Sequence, residues 1–221
     1  MDSKARRELI VKRIAKDFKD GDVVNLGIGM PTQVAGHLPD GVQVLLQSEN
    51  GFIGLASAPA DPALIDPDLV NAGGAPVGII PGGCFFDSCT SFAIIRGGHV
   101  DATVLGTLEV DQHGNIANWM VPGRMVPGMG GAMDLLVGAK KVYVATDHVT
   151  KEGAPKLLER CTLPLTARGV VDVVVTDMGY FEVTPDGFLL KEIAPGVTVD
   201  EVKAATAGHL MIAPDLREIA V

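Results

Sequence analysis

What this sequence has little of narrows it first. It carries three cysteines, Cys84, Cys89 and Cys161, and no Cys-x-x-Cys pair. Neither a disulfide framework nor a zinc site is expected, and buried or half-buried thiols in a reducing cytoplasm are the simpler account. Aromatic residues are only 5% of the chain, so Val, Ile, Leu and Ala must fill any core. Positive charge is short as well, with 18 Lys and Arg against 27 Asp and Glu and a formal charge of −9. That argues against nucleic acid, which needs a basic footprint, and against an anionic membrane surface. No run approaches the roughly 18 apolar residues of a membrane span. The stretch MDSKARRELIVKRIAKDFKDGD is charged throughout and lacks a signal peptide's apolar heart, so a cytoplasmic protein is expected. His37, His99, His113, His148 and His209 show no metal-ligand spacing, and no metal is expected. No Gly-x-Ser-x-Gly elbow or Cys–His arrangement supports Ser or Cys catalysis.

What is present is an apolar, heavily punctuated chain: 47% hydrophobic, with 27 Gly and 14 Pro spread between apolar runs over 221 residues. That length suits one domain spanning 1–221. Leu9, Ile10, Ile14 and Phe18 recur at helical spacing among charges, which predicts a helix over 4–19 with Gly21 as its stop. Residues 23–26, 42–46, 77–80, 102–105, 142–145 and 170–175 are continuous apolar runs, as in strands covered on both faces. A hairpin is expected around Thr184-Pro185-Asp186-Gly187, and a capped helix from Thr198 toward Ala207. The alternation predicts an α/β fold, an open, mostly parallel sheet with helices on both faces.

Two glycine patterns and one carboxylate stand out. Gly27-Ile28-Gly29 follows a strand, but Thr32 stands where a dinucleotide fingerprint needs its third glycine, so that reading fails. Gly128-Met129-Gly130-Gly131-Ala132-Met133-Asp134 reads as a glycine turn entering a helix, a geometry that also exposes amides able to stabilise an oxyanion. Glu49 falls at the carboxyl end of the 42–46 strand, just before the Asn50-Gly51 turn. Ligands of open α/β sheets bind outside that end. Position alone leaves Glu49 as either a solvated turn residue or a chemical group.

The whole string LQSENGFIG (Leu46–Gly54) resembles the active-site signature of the class I coenzyme A transferases, in particular the β subunits of the 3-oxoacid type. NLGIGMPT, DLVNAGG, SFAIIRGGHVD, GNIANWMVPG, GMGGAMDL and CTLPLTA are similar to that family too, in its order, over nearly the full chain. The likeness is closest to the β subunits of bacterial acetate- or butyrate–acetoacetate transferases. It implies that Glu49 is the nucleophile of a ping-pong reaction and that the Gly131 amide faces the oxyanion. It also implies that Gly27, Ile28, Gly29, Met30, Asn50, Gly51 and Gly130 lie beside coenzyme A or substrate. CoA is then a substrate, no cofactor is needed, and an α subunit completes the enzyme, as an α/β pair doubled to a heterotetramer. For CoA's phosphates, Lys140, Lys141, Lys151, Lys156 and Arg168 are available in this acidic chain.

Two departures bear on substrate. Ala56 replaces a usual glycine, and its methyl is expected to narrow the approach to substrate. Gly74 stands where succinyl-CoA:3-oxoacid enzymes of the mammalian type carry a lysine, which favours short monocarboxylates such as acetate, butyrate and acetoacetate over succinate or 3-oxoadipate. A thioester hydrolase and a non-catalytic ligand-sensing domain of the same fold are the readings from other classes.

Overall fold

The computed structural model describes residues 2–123, 126 and 128–221. Helix α1 (Ser3–Ala15) opens on Asp2, whose carboxylate accepts from Ala5 N at 2.8 Å. It stops short of the predicted end because the Asp22 carboxylate takes the Lys19 N–H and folds residues 19–22 into a turn. At the centre of the sheet, β1 (Val23–Leu26) lies between β2 (Leu45–Ser48) and β5 (Ala102–Leu105), and β8 (Val142–Ala145) follows β5, all parallel. Beyond β2 the chain turns back through β3 (Phe52–Ala56) and β4 (Gly78–Phe85), each antiparallel to its neighbour. Across the whole sheet the order is β13-β12-β11-β10-β8-β5-β1-β2-β3-β4. Here β10 is Val173–Val175, β11 is Gly179–Thr184, β12 is Gly187–Ile193 and β13 is Leu210–Glu218. The centre from β2 to β10 is parallel, and antiparallel pairs flank it.

Alternate residues of the central strands feed two cores, as period-2 geometry requires. Val24, Val104, Tyr143, Ala145, Val173 and Val175 meet Ile10, Val11 and Ile14 of α1. Val142, Val144 and Val174 face the other way, toward Leu136 of α3 (Ala132–Gly138) and Val202 of α4 (Val199–Ala205). Helices therefore cover both faces. The α1 side is tied down by Arg13, whose guanidinium is bonded to Glu192 of β12 and to Asp17.

Three expected strands shift in ways with physical causes. Residues 42–44 run beside the 20–22 turn, bonded to Gly21 N and Asp20, so ladder pairing begins at Leu45 and runs on through the polar Gln47 and Ser48. The 170–175 strand begins only at Val173, because the Val170 and Val171 amides both bend aside to Gly114 O. β4 extends through Pro81 to Phe85, which an edge strand tolerates. The capping box at Thr198 and Glu201 forms as expected. Helix α2 (Ser88–Arg96) and a small sheet of β6 (Glu109–Asp111), β7 (Ile116–Ala117) and β9 (Leu157–Leu158) have no counterpart among the predicted elements.

His148 is fully buried after β8 and bonded at both ring nitrogens, to Thr176 and Thr206 Oγ1, each at 2.9 Å. Thr206 Oγ1 donates to Val202 O, so it accepts from Nε2–H; Thr176 Oγ1 accepts from the Met178 and Gly179 amides, so it donates to Nδ1. The imidazole is held neutral, and burial pushes its pKa down to about 4. The unfolded chain binds that proton near pH 6.5. Unfolded chains therefore hold more protons between those values, and stability falls as pH drops from about 6.5 to about 4, by about 3 kcal/mol from this group, with no further loss below. Denaturant melts across that window are expected to slope less in His148→Gln than in the parent.

Candidate active site

Glu49 sits on the tight turn joining β2 to β3, half-buried, at the carboxyl end of the parallel strands. Gly51 makes the turn possible. Its φ is +130°, and a Cβ there would lie 2.3 Å from Phe86 O, while Phe86 N donates to Gly51 O at 2.8 Å. Two bonds anchor the turn to the 68–76 loop: Asn50 Nδ2 donates to Val70 O at 2.8 Å, and Ala72 N donates to Ser48 Oγ at 3.2 Å.

The decisive contact is with Gly131, the buried residue immediately before α3. A Cβ built on it would lie 2.9 Å from Glu49 Cγ and 3.4 Å from Oε1, so only glycine lets the backbone come this close to the carboxylate. Two strings far apart along the chain, LQSENGFIG and GMGGAMDL, thus meet at one carboxyl group. Gly130 precedes the contact with φ +54° and is exposed.

The Gly27–Met30 loop lies on the same end of the sheet. Exposed Ile28 reaches the 68–76 loop, with its Cγ1 3.3 Å from the Cβ position of Gly73. Gly27 has a structural duty: its N–H donates to Val104 O at 2.8 Å, continuing the ladder, so that amide is not free for a ligand. Met30 opens the 3-10 helix Met30–His37 and packs inward on the α1-side core. Ile28 and Gly29 are the exposed residues of the loop, and Gly27 and Met30 are half-buried.

Several expected roles move. The Ala56 methyl is at the far end of β3, paired with Gly78 and 3.7 Å from its Cβ position, not beside Glu49, so it does not narrow the site. Lys140 and Lys141 precede β8, at the end of the sheet opposite Glu49, and Lys140 is ion-paired to Asp101 at 2.7 Å. Lys156 Nζ points inward to Thr146 Oγ1 and Thr107 O, and burial lowers its pKa. Of the five cations expected to be available for phosphate, all but Lys156 are exposed, with Lys151 and Arg168 on loops. Burial pushes the Cys161 thiol up to about 12, which leaves it unreactive.

Sequence reasoning missed the polar residues behind Glu49. Asn25, Gln47 and Ser91 are buried and hydrogen-bonded in a chain joining β1, β2 and α2. The signal was available: a polar side chain within or at the end of each of the apolar runs Val23–Leu26 and Val42–Leu46. Among the described residues no group of His, Cys, Asp and Glu is placed to hold a metal ion, and no helix is long and apolar enough to cross a membrane. A groove of about 650 Å³ between α1 and the Met30–His37 helix is lined by Lys4, Arg7, Gln33 and His37 and does not include Glu49. The Glu49 residue is half-buried, so part of it meets solvent.

Residues 7–205 match the family model of the coenzyme A transferases. The chain belongs to that family. Within it, the chain is 56% identical over 215 residues to the β subunit of the acetate CoA-transferase of Haemophilus influenzae, covering 97% of this chain and 96% of that one. It is 48% identical over 206 residues to one subunit of the succinyl-CoA:3-ketoacid coenzyme A transferase of Helicobacter pylori, covering 93% and 99%. Among solved structures, the apoenzyme of an acyl-CoA transferase from Escherichia coli O157:H7 superposes with a TM-score of 0.77 at 22% identity. This chain is covered to 97% there but spans only 43% of that longer polypeptide.

Proposed function

We propose that this chain is the β half of a CoA-transferase in which Glu49 is the covalent nucleophile. The observation that carries the reading is the Glu49–Gly131 contact: a half-buried carboxylate held against a glycine backbone at the carboxyl end of the sheet. A Glu49 oxygen attacks the thioester carbonyl of an acyl-CoA, giving an acyl-glutamyl anhydride and the CoA thiolate. The thiolate then attacks the glutamyl carbonyl, leaving a glutamyl–CoA thioester and the free acid. A second carboxylate enters and the steps reverse. Anhydride and thioester are similarly activated, so exchange needs no ATP, metal or organic cofactor. Each addition step forms an oxyanion, and the Gly131 amide is one donor to it, a kind of contact whose removal typically costs about 3 kcal/mol.

The intermediates hydrolyse if water reaches them. A Glu49 that is only half-buried on the isolated chain therefore argues for a second wall. We assign it to a separately made α subunit, in an α/β pair doubled to a heterotetramer in the cytoplasm. Relatives named as single subunits, and a longer transferase of which this chain matches under half, support that partner. For substrates we favour short monocarboxylates, acetate, butyrate and acetoacetate. Gly74, whose loop is tied to the Glu49 turn, offers no cation to a dicarboxylate.

The test is intact-protein mass spectrometry on the complete enzyme given acyl-CoA and no acceptor. A CoA-sized increase mapped to Glu49 is the expected result. An acyl-only adduct, or one on a cysteine, overturns the assignment, and steady release of free CoA without an acceptor identifies a hydrolase.

A further inference from the structure

Helix α2 touches neither CoA nor carboxylate in the proposed mechanism, yet it is bonded to both sides of the Glu49–Gly131 contact. Near its start, Ser91 Oγ accepts from Gln47 Nε2 at 3.0 Å. Gln47 Oε1 in turn accepts from Asn25 Nδ2 at 2.8 Å, and the same amide donates to Gln47 O at 3.1 Å. Ser91, Asn25 and Gln47 are 0%, 2% and 3% exposed. At the other end of α2, Arg96 Nε donates to Asp134 Oδ1 at 2.7 Å, and Asp134 lies in the first turn of α3, just after Gly131. Between these ends the helices are in close contact: a Cβ on Gly138 would lie 2.3 Å from Ile95 O.

We infer that α2 is a splint that fixes Glu49 against Gly131, with Gln47 and Ser91 as positioning residues at the strand end and the Arg96–Asp134 pair at the helix end. The inference rests on Glu49 being the reacting group.

The physical case starts from a poor choice of core residue. A leucine in place of Gln47 would bury apolar surface and need no partner, whereas each buried amide or hydroxyl must find one. What the amide chain adds is direction. β2 is held to β3 by two register pairs, Gln47 with Ile53 and Ser48 with Phe52. Its other ladder, to β1, has three, Val23 with Leu45, Val24 with Leu46 and Asn25 with Gln47, and two ladders this short would hold an all-apolar strand's register only weakly. A slip of one residue moves Glu49 by about 3.3 Å and turns alternate side chains to the other face. No slipped register satisfies Gln47, Asn25 and Ser91 together. Isolated buried polar contacts are a known means of setting register at some loss of stability. The Arg96 side chain is 67% exposed, so its ion pair adds little stability. Its geometric effect is on where α3 begins. Misplacing a reacting group by 1 Å can cost about 100-fold in rate.

Thr103 is the natural control. It is the cross-strand neighbour of Asn25, equally buried, and its Oγ1 has no hydrogen-bond partner among the described residues. It belongs to the same polar row but not to the splint.

The experiment compares Gln47→Leu, Ser91→Ala, Arg96→Gln and Thr103→Val in the complete enzyme. The first readout is the single-turnover rate of CoA adduct formation on Glu49, with acyl-CoA affinity measured separately. The second is hydrogen exchange at the Gly51 amide, which donates to Ser48 O and reports the turn without any chemistry. The three splint variants are expected to slow adduct formation by about 10- to 100-fold with affinity changed less than about twofold. Gly51 exchange should quicken in Gln47→Leu and Ser91→Ala, and Thr103→Val should match the parent throughout. Parental rates and exchange in the splint variants overturn the inference while leaving Glu49's role intact, and so does equal slowing in Thr103→Val. If the parent enzyme forms no adduct, the functional reading fails by itself, and Gly51 exchange alone decides the splint.

Discussion

Glu49→Gln is expected to abolish CoA transfer, with a loss on the order of 10⁴- to 10⁶-fold, while the chain folds and assembles normally. The magnitude follows from removing a covalent nucleophile, because a neutral amide cannot form the acyl anhydride. Stability should change by no more than about 0.5 kcal/mol, since the side chain is half-buried on a turn and takes part in no ion pair among the described residues. Transfer assays and thermal melts on the same preparation separate the two effects. Retention of more than a few per cent of activity, with contaminating parent protein excluded, would falsify the nucleophile assignment.

Gly131→Ala carries the second-largest expected effect, about 10²- to 10³-fold in kcat with KM little changed. The backbone at Gly131 has φ −80° and ψ 0°, which alanine adopts without strain. In an ordinary glycine turn this substitution is neutral or stabilises by about 0.4–1 kcal/mol. Here the added methyl would lie 2.9 Å from Glu49 Cγ, and the flexible carboxylate side chain is the atom group that yields. The fold should survive and the reaction should not. Unchanged kcat with an unchanged melting temperature would mean that Gly131 and Glu49 do not work together.

Much of the fold is legible in the sequence, for reasons that differ by element. The buried runs 23–26, 102–105 and 142–145 coincide with strands because burial on both faces leaves mostly apolar residues. Glu49 is legible as a strand-end carboxylate next to Asn50-Gly51, and the glycine string from 128 to 131 as a turn into a helix. Their contact is not, because nothing local in either string encodes its distance from the other. The 42–46 strand is expected too early for a related reason. Pairing is decided by what β1 and the 20–22 turn offer, and the strand's last two residues are polar with polar partners. The surroundings of Lys140 and Lys156 are not legible, because composition counts cations without saying which end of the sheet, or which internal oxygen, each one faces.

The Arg13–Glu192 bond bears on the order in which the molecule becomes itself. The two residues are 179 positions apart, and Glu192 also receives Arg217 of β13. On the ribosome α1 emerges well before β12, at a time when Asp17 is present to the guanidinium but Glu192 does not yet exist. Seating α1 on a partial sheet would bury that charge with Asp17 but without Glu192, forfeiting part of the roughly 3–5 kcal/mol that breaking a buried pair typically costs. Docking of α1 is thereby weaker before β12 is made than after it. The turn bearing Glu49 is translated long before Gly131 and β12, so a nascent fragment that ends ahead of them is not expected to display a finished nucleophile.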